Sequence, residues 1–380
     1  MKRALILASV ASMIDQFNMQ NILLLLNEGY QVDVIANFKQ GNTISDERIK
    51  ELEQKLQQLN VSAYHVPIPR KITDIKGILE SYKEVKRQCD ERAYTLVHCH
   101  SPIGGVIARL AAKKTRRTGT KVIYTAHGFH FYKGAPIKNW LIFYPIEKIC
   151  ARWTDVLITI NKEDFAFSKQ RMKANRIEYI PGVGIDTSKF KLENLNRDNK
   201  KEELGLPPKS FILLSVGELN ANKNHEVVIK ALAQIGDTKM HYIIAGRGEL
   251  QQYLIDLATS LGVEKQLHLL GYRTDIPELY NIANVFVFPS FREGLSVSLM
   301  EAMASGLPCV ASDIRGNVDL IVPKQGGVLF TPDNVSELAA AISNLIYNQE
   351  LERAMGDYNQ QIIVQFDKAK VNEEIKNIYF

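Results

Sequence analysis

Short apolar runs alternate with longer amphipathic stretches along the first half of the 380-residue chain. Runs rich in β-branched and aliphatic residues predict buried strands, whereas apolar residues spaced three or four positions apart predict helices. The predicted strands are 5–8, 32–36, 62–66, 96–99, 121–125 and 155–160, and the predicted helices are 14–27, 45–59, 75–89 and 104–114. Strands that alternate with helices in this way predict a parallel sheet of the α/β class.

The same alternation begins again in the second half of the chain. The predicted strands are 211–216, 241–245, 267–270, 285–289, 309–312 and 327–330, and the predicted helices are 226–234, 276–282 and 295–305, with one more ending near 261. Between the halves, Pro181, Gly182 and Gly184 mark a turn or hinge. We therefore predict two Rossmann-like doubly wound domains, 1–183 and 184–359, facing a cleft, with a final helix at about 360–380 packing back on the first domain.

The composition is that of a globular protein, with 46% hydrophobic and 23% charged residues. The net charge of +5 is modest, and no dense basic helix is interleaved with aromatic residues, so nucleic acid is not a predicted partner. Four scattered cysteines without a CxxC pair predict no disulfide framework and a cytoplasmic location. No apolar stretch approaches the roughly 20 residues needed to span a bilayer.

The segment that carries most of the candidate chemistry runs from the end of a predicted strand at Pro289 into a predicted helix. Gly294 lacks a Cβ, so a ligand can approach its backbone closely. The first helical turn, Leu295 to Ser298, offers amide groups that favour a diphosphate. Glu293 and Glu301 are too far apart to share one proton, but they suit two parts of an extended ligand, such as sugar and ribose hydroxyls. The alternative is a pair of ordinary exposed glutamates.

Two glutamates separated by seven residues in this setting resemble the EX7E motif of retaining glycosyltransferases of family 4, which have the GT-B fold. Five further segments resemble this family in the same order along the chain, at 125–130, 180–186, 216–225, 245–248 and 270–275. Within the family, the chain looks most like bacterial capsular and exopolysaccharide transferases.

The resemblance implies a role for each matching residue. Glu293 is expected to contact donor sugar hydroxyls, Glu301 the ribose and Lys223 the diphosphate, while His127 faces the reacting sugar; we assign His127, Glu293 and Lys223 as catalytic. The first domain is expected to bind the acceptor and the second the nucleotide sugar. The other donor-binding candidates are Gly217, Asn222, Arg247, Arg273, Gly294, Leu295, Ser296 and Ser298, and the acceptor candidates are Asp15, His100 and His130.

Two departures from the family pattern change the expectation. Many members have an arginine where this chain has Glu218, and we expect Arg247 or Arg273 to supply the missing charge. The first strand lacks the glycine pair of the family's opening loop, so we assign the loop at 9–15 to the acceptor instead of a phosphate.

No Asp-X-Asp triplet occurs in the chain, and we expect catalysis without metal or other cofactor. His98 and His100 share one face of a predicted strand, but no third ligand is evident at a useful spacing. We therefore predict that one histidine ends the strand at the cleft and that the other is structural.

An aromatic and apolar segment, 140–146, is flanked by Lys133, Lys138, Lys148 and Arg152. It predicts either a segment dipping into a membrane interface or a helix packed on the first sheet. A second basic cluster at 113–121 is compatible with anionic lipid headgroups or with a solvated helix end.

The resemblance implies transfer of a hexose or N-acetylhexosamine from a UDP-sugar to a saccharide linked to polyprenyl diphosphate, in capsular or other surface polysaccharide synthesis. The protein is then expected at the inner face of the cytoplasmic membrane, where other polysaccharide-assembly enzymes are potential partners. A GT-B enzyme with a soluble acceptor and a catalytically inactive GT-B scaffold subunit are the alternatives.

Overall fold

A computed structural model describes residues 2–192 and 195–380 of the chain. They form two compact units, of which the first runs to Val183 and also includes Val371–Phe380, and the second is Gly184–Lys370. Each unit is built on its own sheet, and all the strand pairs within both sheets are parallel. The predicted α/β class is therefore confirmed for both halves.

The sheet of the first unit has seven strands, β1 (Arg3–Val10), β2 (Gln31–Asn37), β3 (Ser62–His65), β4 (Leu96–His100), β5 (Lys121–Ala126), β6 (Val156–Thr159) and β7 (Arg176–Tyr179). Their order is β3-β2-β1-β4-β5-β6-β7. Successive residues of β1 enter different cores, since Ala4 and Ile6 join one cluster and Leu5 and Leu7 join another. Both faces of the sheet are thus covered, as a parallel sheet requires.

The helices of this unit are α1 (Ala11–Phe17), α2 (Met19–Asn27), α3 (Asp46–Gln58), α4 (Ile75–Arg92), α5 (Pro102–Ala111), α6 (Lys113–Arg116), α7 (Ile137–Cys150) and α8 (Lys162–Arg171). The single helix predicted at 14–27 is divided at Asn18, whose side-chain amide donates to the Met13 carbonyl at 3.0 Å. The loop predicted at 9–15 is absent, because β1 extends to Val10 and α1 begins at the next residue.

The sheet of the second unit has six strands, β8 (Phe211–Val216), β9 (Met240–Ala245), β10 (Leu267–Gly271), β11 (Val285–Phe288), β12 (Cys309–Ser312) and β13 (Gly327–Phe330). Their order, β10-β9-β8-β11-β12-β13, reverses direction between β8 and β11. The helices are α9 (Arg197–Glu203), α10 (His225–Ile235), α11 (Gln251–Ser260), α12 (Ile276–Ile282), α13 (Val297–Ala304), α14 (Asn317–Leu320), α15 (Val335–Ile346) and α16 (Gln349–Ile362). Both units therefore have the doubly wound arrangement that was predicted.

The last helix, α17 (Lys368–Tyr379), places its apolar face in the core of the first unit. Val371, Ile375 and Tyr379 are all buried there. The Tyr379 hydroxyl lies 2.8 Å from the Nδ1 atom of His98. The helix predicted from about residue 360 starts instead at Lys368, and the residues before Val371 belong to the second unit.

Candidate active site

The loop after β8 brings Lys223 back over the end of its own strand. The Gly217 amide donates to the Ala245 carbonyl at 3.0 Å, which ties the start of the loop to β9. The side-chain oxygen of Asn220 accepts from the Lys223 amide at 3.1 Å and caps a short 3-10 turn. A Cβ on residue 217 would lie only 3.2 Å from the Lys223 Cε, so a glycine there leaves room for the lysine side chain.

Glu293, in the loop after β11, forms an ion pair with Lys223. The Lys223 Nζ lies 2.7 Å from the Glu293 Oε1, and the two side chains are only 19% and 16% exposed. The ammonium is also 4.8 Å from the centre of the Phe288 ring, within cation–π range. Strands β8 and β11 are neighbours where the strand order reverses, which is where open α/β sheets bind ligands. Two of the three residues predicted as catalytic therefore meet at this point.

Asn222 connects these two loops. Its side-chain amide donates to the Arg292 carbonyl at 3.0 Å, and its own carbonyl accepts from the Phe291 amide at 2.8 Å. We predicted Asn222 as a donor-binding residue, but the contacts of its side-chain amide make it a positioning residue for the loop that carries Glu293.

Helix α13 begins at Val297, two residues later than predicted, because Ser296 is its N-cap. The Ser296 hydroxyl oxygen accepts from the Leu299 amide at 3.3 Å and lies 3.0 Å from the Ser298 hydroxyl. We predicted that Ser296 contacts the donor, but its hydroxyl caps the helix instead. The amides of Val297 and Ser298 have no intrahelical partner and lie at the positive end of the helix dipole, which suits an anion.

Gly294 and Leu295 fix the path of the backbone before this helix. The Gly294 carbonyl packs closely on Gly316, where a Cβ would lie 2.2 Å from the oxygen and where φ is +86°. The Leu295 side chain is buried. Only the backbone of these two residues is therefore suited to contact a donor.

Glu301 lies in α13 one turn after its start and contacts Tyr280. The Tyr280 hydroxyl donates to the Ser298 carbonyl at 2.9 Å and to the Glu301 Oε2 at 3.2 Å, so one hydrogen is shared by two acceptors. Burial raises the pKa of Glu301 to about 7, and the hydrogen bond from Tyr280 acts in the opposite direction. Ionised Glu301 thus has capacity to accept further hydrogen bonds.

The two arginines predicted to replace the missing cation differ in how they are held. Arg273 donates from its Nε to Asp275 at 2.8 Å and lies 3.3 Å from Glu203, so two carboxylates neutralise it. These carboxylates compete with a phosphate for its guanidinium, and its role as a diphosphate ligand stays a prediction. Arg247 is exposed, and its guanidinium lies 5.9 Å from the centre of the Tyr272 ring. Arg247 therefore stays the better candidate for the second cation that binds the diphosphate.

Glu218 is exposed and turns toward its own loop. Its Oε2 accepts from the Asn220 side-chain amide at 2.8 Å. Because the other side-chain atom of Asn220 caps the turn at Lys223, Glu218 contributes to placing that lysine.

Three histidines lie close together in the first unit: His98 in the middle of β4, His100 at its carboxyl end and His127 directly after β5. The Nδ1 of His100 is 3.1 Å from the Nε2 of His127, and the rings of His98 and His100 are 4.1 Å apart. His98 also lies 2.8 Å from the Thr125 hydroxyl. Burial lowers the pKa of His98 to about 3 and that of His127 to about 4.

His100 is almost completely buried, which does not fit its predicted contact with the acceptor. Its Nε2 is buried without a hydrogen-bond partner in the described part of the chain. We therefore reassign His100 as a positioning residue that holds the half-buried ring of His127. Across residues 2–192 and 195–380, no group of three or more His, Cys, Asp or Glu side chains could hold a metal ion.

The other two acceptor candidates are engaged with their neighbours. Both carboxylate oxygens of Asp15 accept from Arg48 at 2.9 Å, so Asp15 is the partner of an ion pair. Its role toward an acceptor stays a prediction. The His130 ring packs 4.7 Å from the Phe143 ring, and its carbonyl accepts from Asn139. His130 is half-buried, and its role toward an acceptor stays a prediction.

Two family models match the chain, one to each half. The model described as Glycosyltransferase Family 4 matches residues 23–189, and that described as Glycosyl transferases group 1 matches residues 196–362. EpsD of Bacillus subtilis is 37% identical over 355 residues, which are 92% of this chain and 89% of EpsD. This chain belongs to the family 4 glycosyltransferases.

Two further proteins resemble this glycosyltransferase over almost their whole length. The Escherichia coli UDP-Gal:alpha-D-GlcNAc-diphosphoundecaprenol alpha-1,3-galactosyltransferase is 29% identical over 385 residues, covering 98% of this chain and 95% of the relative. HepE of Anabaena, solved in complex with UDP, superposes with a TM-score of 0.78 at 21% identity, covering 100% of this chain and 99% of HepE. The GT-B fold is thereby confirmed.

Sequence reasoning missed several residues that organise the glycosyltransferase site. Asn220, Tyr280 and Tyr379 hold Lys223, Glu301 and His98, respectively. Asn220 had a signal, because an asparagine three residues before Lys223 is typical of a capped turn. The two tyrosines had none, because they act across 21 and 281 residues of sequence.

Proposed function

We propose that this glycosyltransferase moves a hexose or N-acetylhexosamine from a UDP-sugar to a saccharide linked to polyprenyl diphosphate. The reaction takes place at the inner face of the cytoplasmic membrane and retains the configuration of the transferred sugar. The observation that carries the proposal is the partly buried Lys223–Glu293 pair beside the start of α13. Two similarities support it: the E. coli relative is a UDP-Gal:alpha-D-GlcNAc-diphosphoundecaprenol galactosyltransferase, and HepE binds UDP in its crystal structure.

Lys223 and the first amides of α13 bind the donor diphosphate. A lysine acts on a phosphate as a point charge, and a helix start adds amide donors aimed at the anion. Lys223 is 19% exposed, so an ion pair formed there is screened less than one on the open surface. These groups carry the charge of the leaving UDP, and we propose that transfer requires no metal ion.

Glu293 binds the transferred sugar once the diphosphate has taken over Lys223. An ionised carboxylate accepts up to four hydrogen bonds, which matches the hydroxyl-rich surface of a hexose. Glu301 accepts hydrogen bonds from the ribose hydroxyls. Tyr280 shares its single hydrogen with the Ser298 carbonyl, so the carboxylate can accept these further bonds. We also propose that His127 acts on the sugar as a neutral imidazole, since burial lowers its pKa to about 4.

The chemical step needs no side-chain base. The bond between the anomeric carbon and the diphosphate oxygen breaks, and the acceptor hydroxyl oxygen bonds to the same carbon from the same face. The acceptor proton passes to the departing diphosphate, so atoms and charge balance within donor and acceptor. Stabilising the charge that develops on the diphosphate is then the main catalytic contribution of the protein.

The direct test is transfer from a panel of UDP-hexoses and UDP-N-acetylhexosamines to polyprenyl diphosphate N-acetylglucosamine, in EDTA. We expect one donor to give a lipid-linked disaccharide with an α-linkage by NMR. A β-linked product would contradict retention, and transfer only to a water-soluble sugar would contradict the lipid-linked acceptor. No transfer with any donor by folded protein would contradict the proposed reaction as a whole.

A further inference from the structure

An apolar groove opens between helices α4, α5 and α7 of the first unit. Its volume is about 340 Å³, within the range of small-molecule sites. The residues that form it are almost all apolar: Ile72, Ile75, Ile78, Pro102, Ile103, Val106, Leu110, Phe143, Ile146, Glu147, Ile149, Cys150 and Trp153. Ile75 and Ile149 are 60% and 49% exposed, so a ligand can reach the groove from solvent.

The only carboxylate of the groove is already paired. Glu147 accepts from Arg109 at 2.8 Å and from the Tyr124 hydroxyl at 3.1 Å. Arg109 is fully buried, donates also to the Gly105 carbonyl at 2.8 Å, and lies 3.8 Å from the centre of the Tyr124 ring. Because these groups satisfy one another, the groove offers a polar ligand no partner, and desolvating such a ligand there would be unfavourable. The groove therefore suits a hydrocarbon.

The two ends of the groove differ in their surroundings. Pro102 and Ile103 follow β4 directly, so one end lies at the edge of the sheet where His100 and His127 are found. Helix α5 then carries the groove away from that edge over about 12 Å, the rise from Pro102 to Leu110.

The far end of the groove adjoins basic residues. Trp153 lies there, with the Lys113 ammonium 4.4 Å from the centre of its ring. Lys113, Lys114, Lys148 and Arg152 are exposed in these neighbouring segments. Cations in this position attract the anionic headgroups of a bilayer.

We propose that this groove binds the isoprenoid chain of the acceptor lipid. The saccharide and diphosphate end lies at the carboxyl edge of the first sheet, and the chain follows α5 to the basic end, where it enters the bilayer. The identity of the lipid rests on the proposed function. The contact itself rests only on the match between an apolar groove and a hydrocarbon. Three observations favour a hydrocarbon chain over a polar headgroup. The groove is lined by apolar residues, its carboxylate Glu147 already has hydrogen-bond partners, and basic residues lie at one end.

Tryptophan fluorescence measures this contact without any transfer reaction. The chain has two tryptophans, and in a Trp140→Phe background Trp153 in the groove is the single reporter. We expect geranylgeranyl phosphate in nonionic detergent to change its emission in a saturable way, and inorganic phosphate to cause no change. In the same background, Ile149→Glu should weaken geranylgeranyl phosphate binding about tenfold or more, because the carboxylate must be desolvated against the chain.

The matched control is Ile255→Glu, at a residue of the second unit that is 38% exposed and lies in α11. It should leave the titration unchanged, and the emission of Trp153 during urea unfolding verifies that the first unit of both variants is folded. An equal response to inorganic phosphate would overturn the proposal, since a headgroup site would then explain it. A response to phosphatidylglycerol vesicles but not to geranylgeranyl phosphate would also overturn it, in favour of bilayer acyl chains. Sugar transfer to the lipid acceptor without groove binding would contradict this proposal alone. Groove binding without transfer would contradict the proposed reaction alone.

Discussion

Lys223 and Glu293 lie 70 residues apart in sequence, yet their charged atoms are 2.7 Å apart at the junction of β8 and β11. Each is the other's counter-ion in a setting that leaves less than a fifth of either side chain exposed. A diphosphate that binds Lys223 competes with Glu293 for the same ammonium. In the proposed function, donor binding frees the Glu293 carboxylate to accept hydrogen bonds from the sugar.

This competition predicts opposite effects on binding and turnover for Glu293→Gln. The variant removes the counter-ion of Lys223, so UDP should bind as tightly as to the natural protein or more tightly. Turnover should fall about 100-fold or more, because the sugar loses a charged acceptor in the transition state. Calorimetry with UDP and a transfer assay measure the two effects separately, and a parallel loss of UDP affinity would show that Glu293 does not compete for Lys223.

The raised pKa of Glu301 predicts that UDP affinity depends on pH. Ribose hydroxyls donate to the ionised carboxylate, so UDP should bind more tightly as the pH rises through about 7, where burial has placed this pKa. Below that value the affinity should fall by up to about tenfold per pH unit, with uptake of one proton on UDP release. UDP titrations between about pH 5.5 and 8.5, a range that spans the ionisation of Glu301, measure this dependence.

The matched variant for that test is Glu301→Gln, which keeps the size of the side chain and cannot ionise. Its UDP affinity should depend on pH less steeply than that of the natural protein, and the remaining dependence comes from the terminal phosphate of UDP, which titrates at about 6. Unchanged pH dependence in this variant would assign the titration to another group.

Glu218→Arg tests whether a cation at that position strengthens donor binding. The exposed position lies in the same loop as Lys223, so an arginine should raise UDP affinity through attraction to the diphosphate. Glu218→Gln controls for loss of the carboxylate alone, because an amide oxygen can still accept from the Asn220 side chain. Weaker UDP binding by the arginine variant alone would mean that placement of the Asn220 turn outweighs added charge.

The buried His98 predicts that the first unit loses stability in acid. Its pKa falls from an ordinary 6.5 to about 3 because burial disfavours the charged ring. An unfolded histidine takes up a proton below 6.5 while native His98 does not, so stability is lost as the pH falls from 6.5 toward 3. The loss from His98 alone should be roughly 2–3 kcal/mol at pH 4.5.

Both tryptophans, Trp140 and Trp153, belong to the first unit, so their emission during urea unfolding follows that unit. His98→Gln should lower the stability at pH 7 but flatten its decline in acid. His65→Gln serves as the control and should keep most of the decline, although burial also lowers the pKa of His65. An acid dependence that is equally steep in both variants would place its origin elsewhere.

Much of the fold follows from the periodicity of the sequence. Strands such as Phe211–Val216 and Cys309–Ser312 and the helix Ile276–Ile282 have the predicted bounds, because apolar runs and turns are local properties. The pairing of Lys223 with Glu293 is compatible with the predicted parallel sheet, since loops after neighbouring strands meet at one edge.

Several contacts of the candidate site residues join side chains that are distant in sequence. Arg273 looked free to bind phosphate, but it pairs with Asp275, two residues later, and with Glu203, 70 residues earlier. Asp15 looked like an acceptor ligand, but Arg48, 33 residues later, takes both of its oxygens. No local pattern shows which charged side chains will meet, because that depends on how helices pack on the sheet.

The most direct test of the proposed donor site is calorimetric titration of the protein with UDP, GDP and ADP in excess EDTA. The account predicts saturable binding of UDP, weaker binding of the other two, and loss of UDP affinity of about tenfold or more in Lys223→Ala. Lys230→Ala, which removes a lysine paired with Glu226 in α10, should bind UDP normally. If folded protein bound none of the three nucleotides, or if Lys223→Ala bound UDP as well as the natural chain, the proposed donor site would be contradicted.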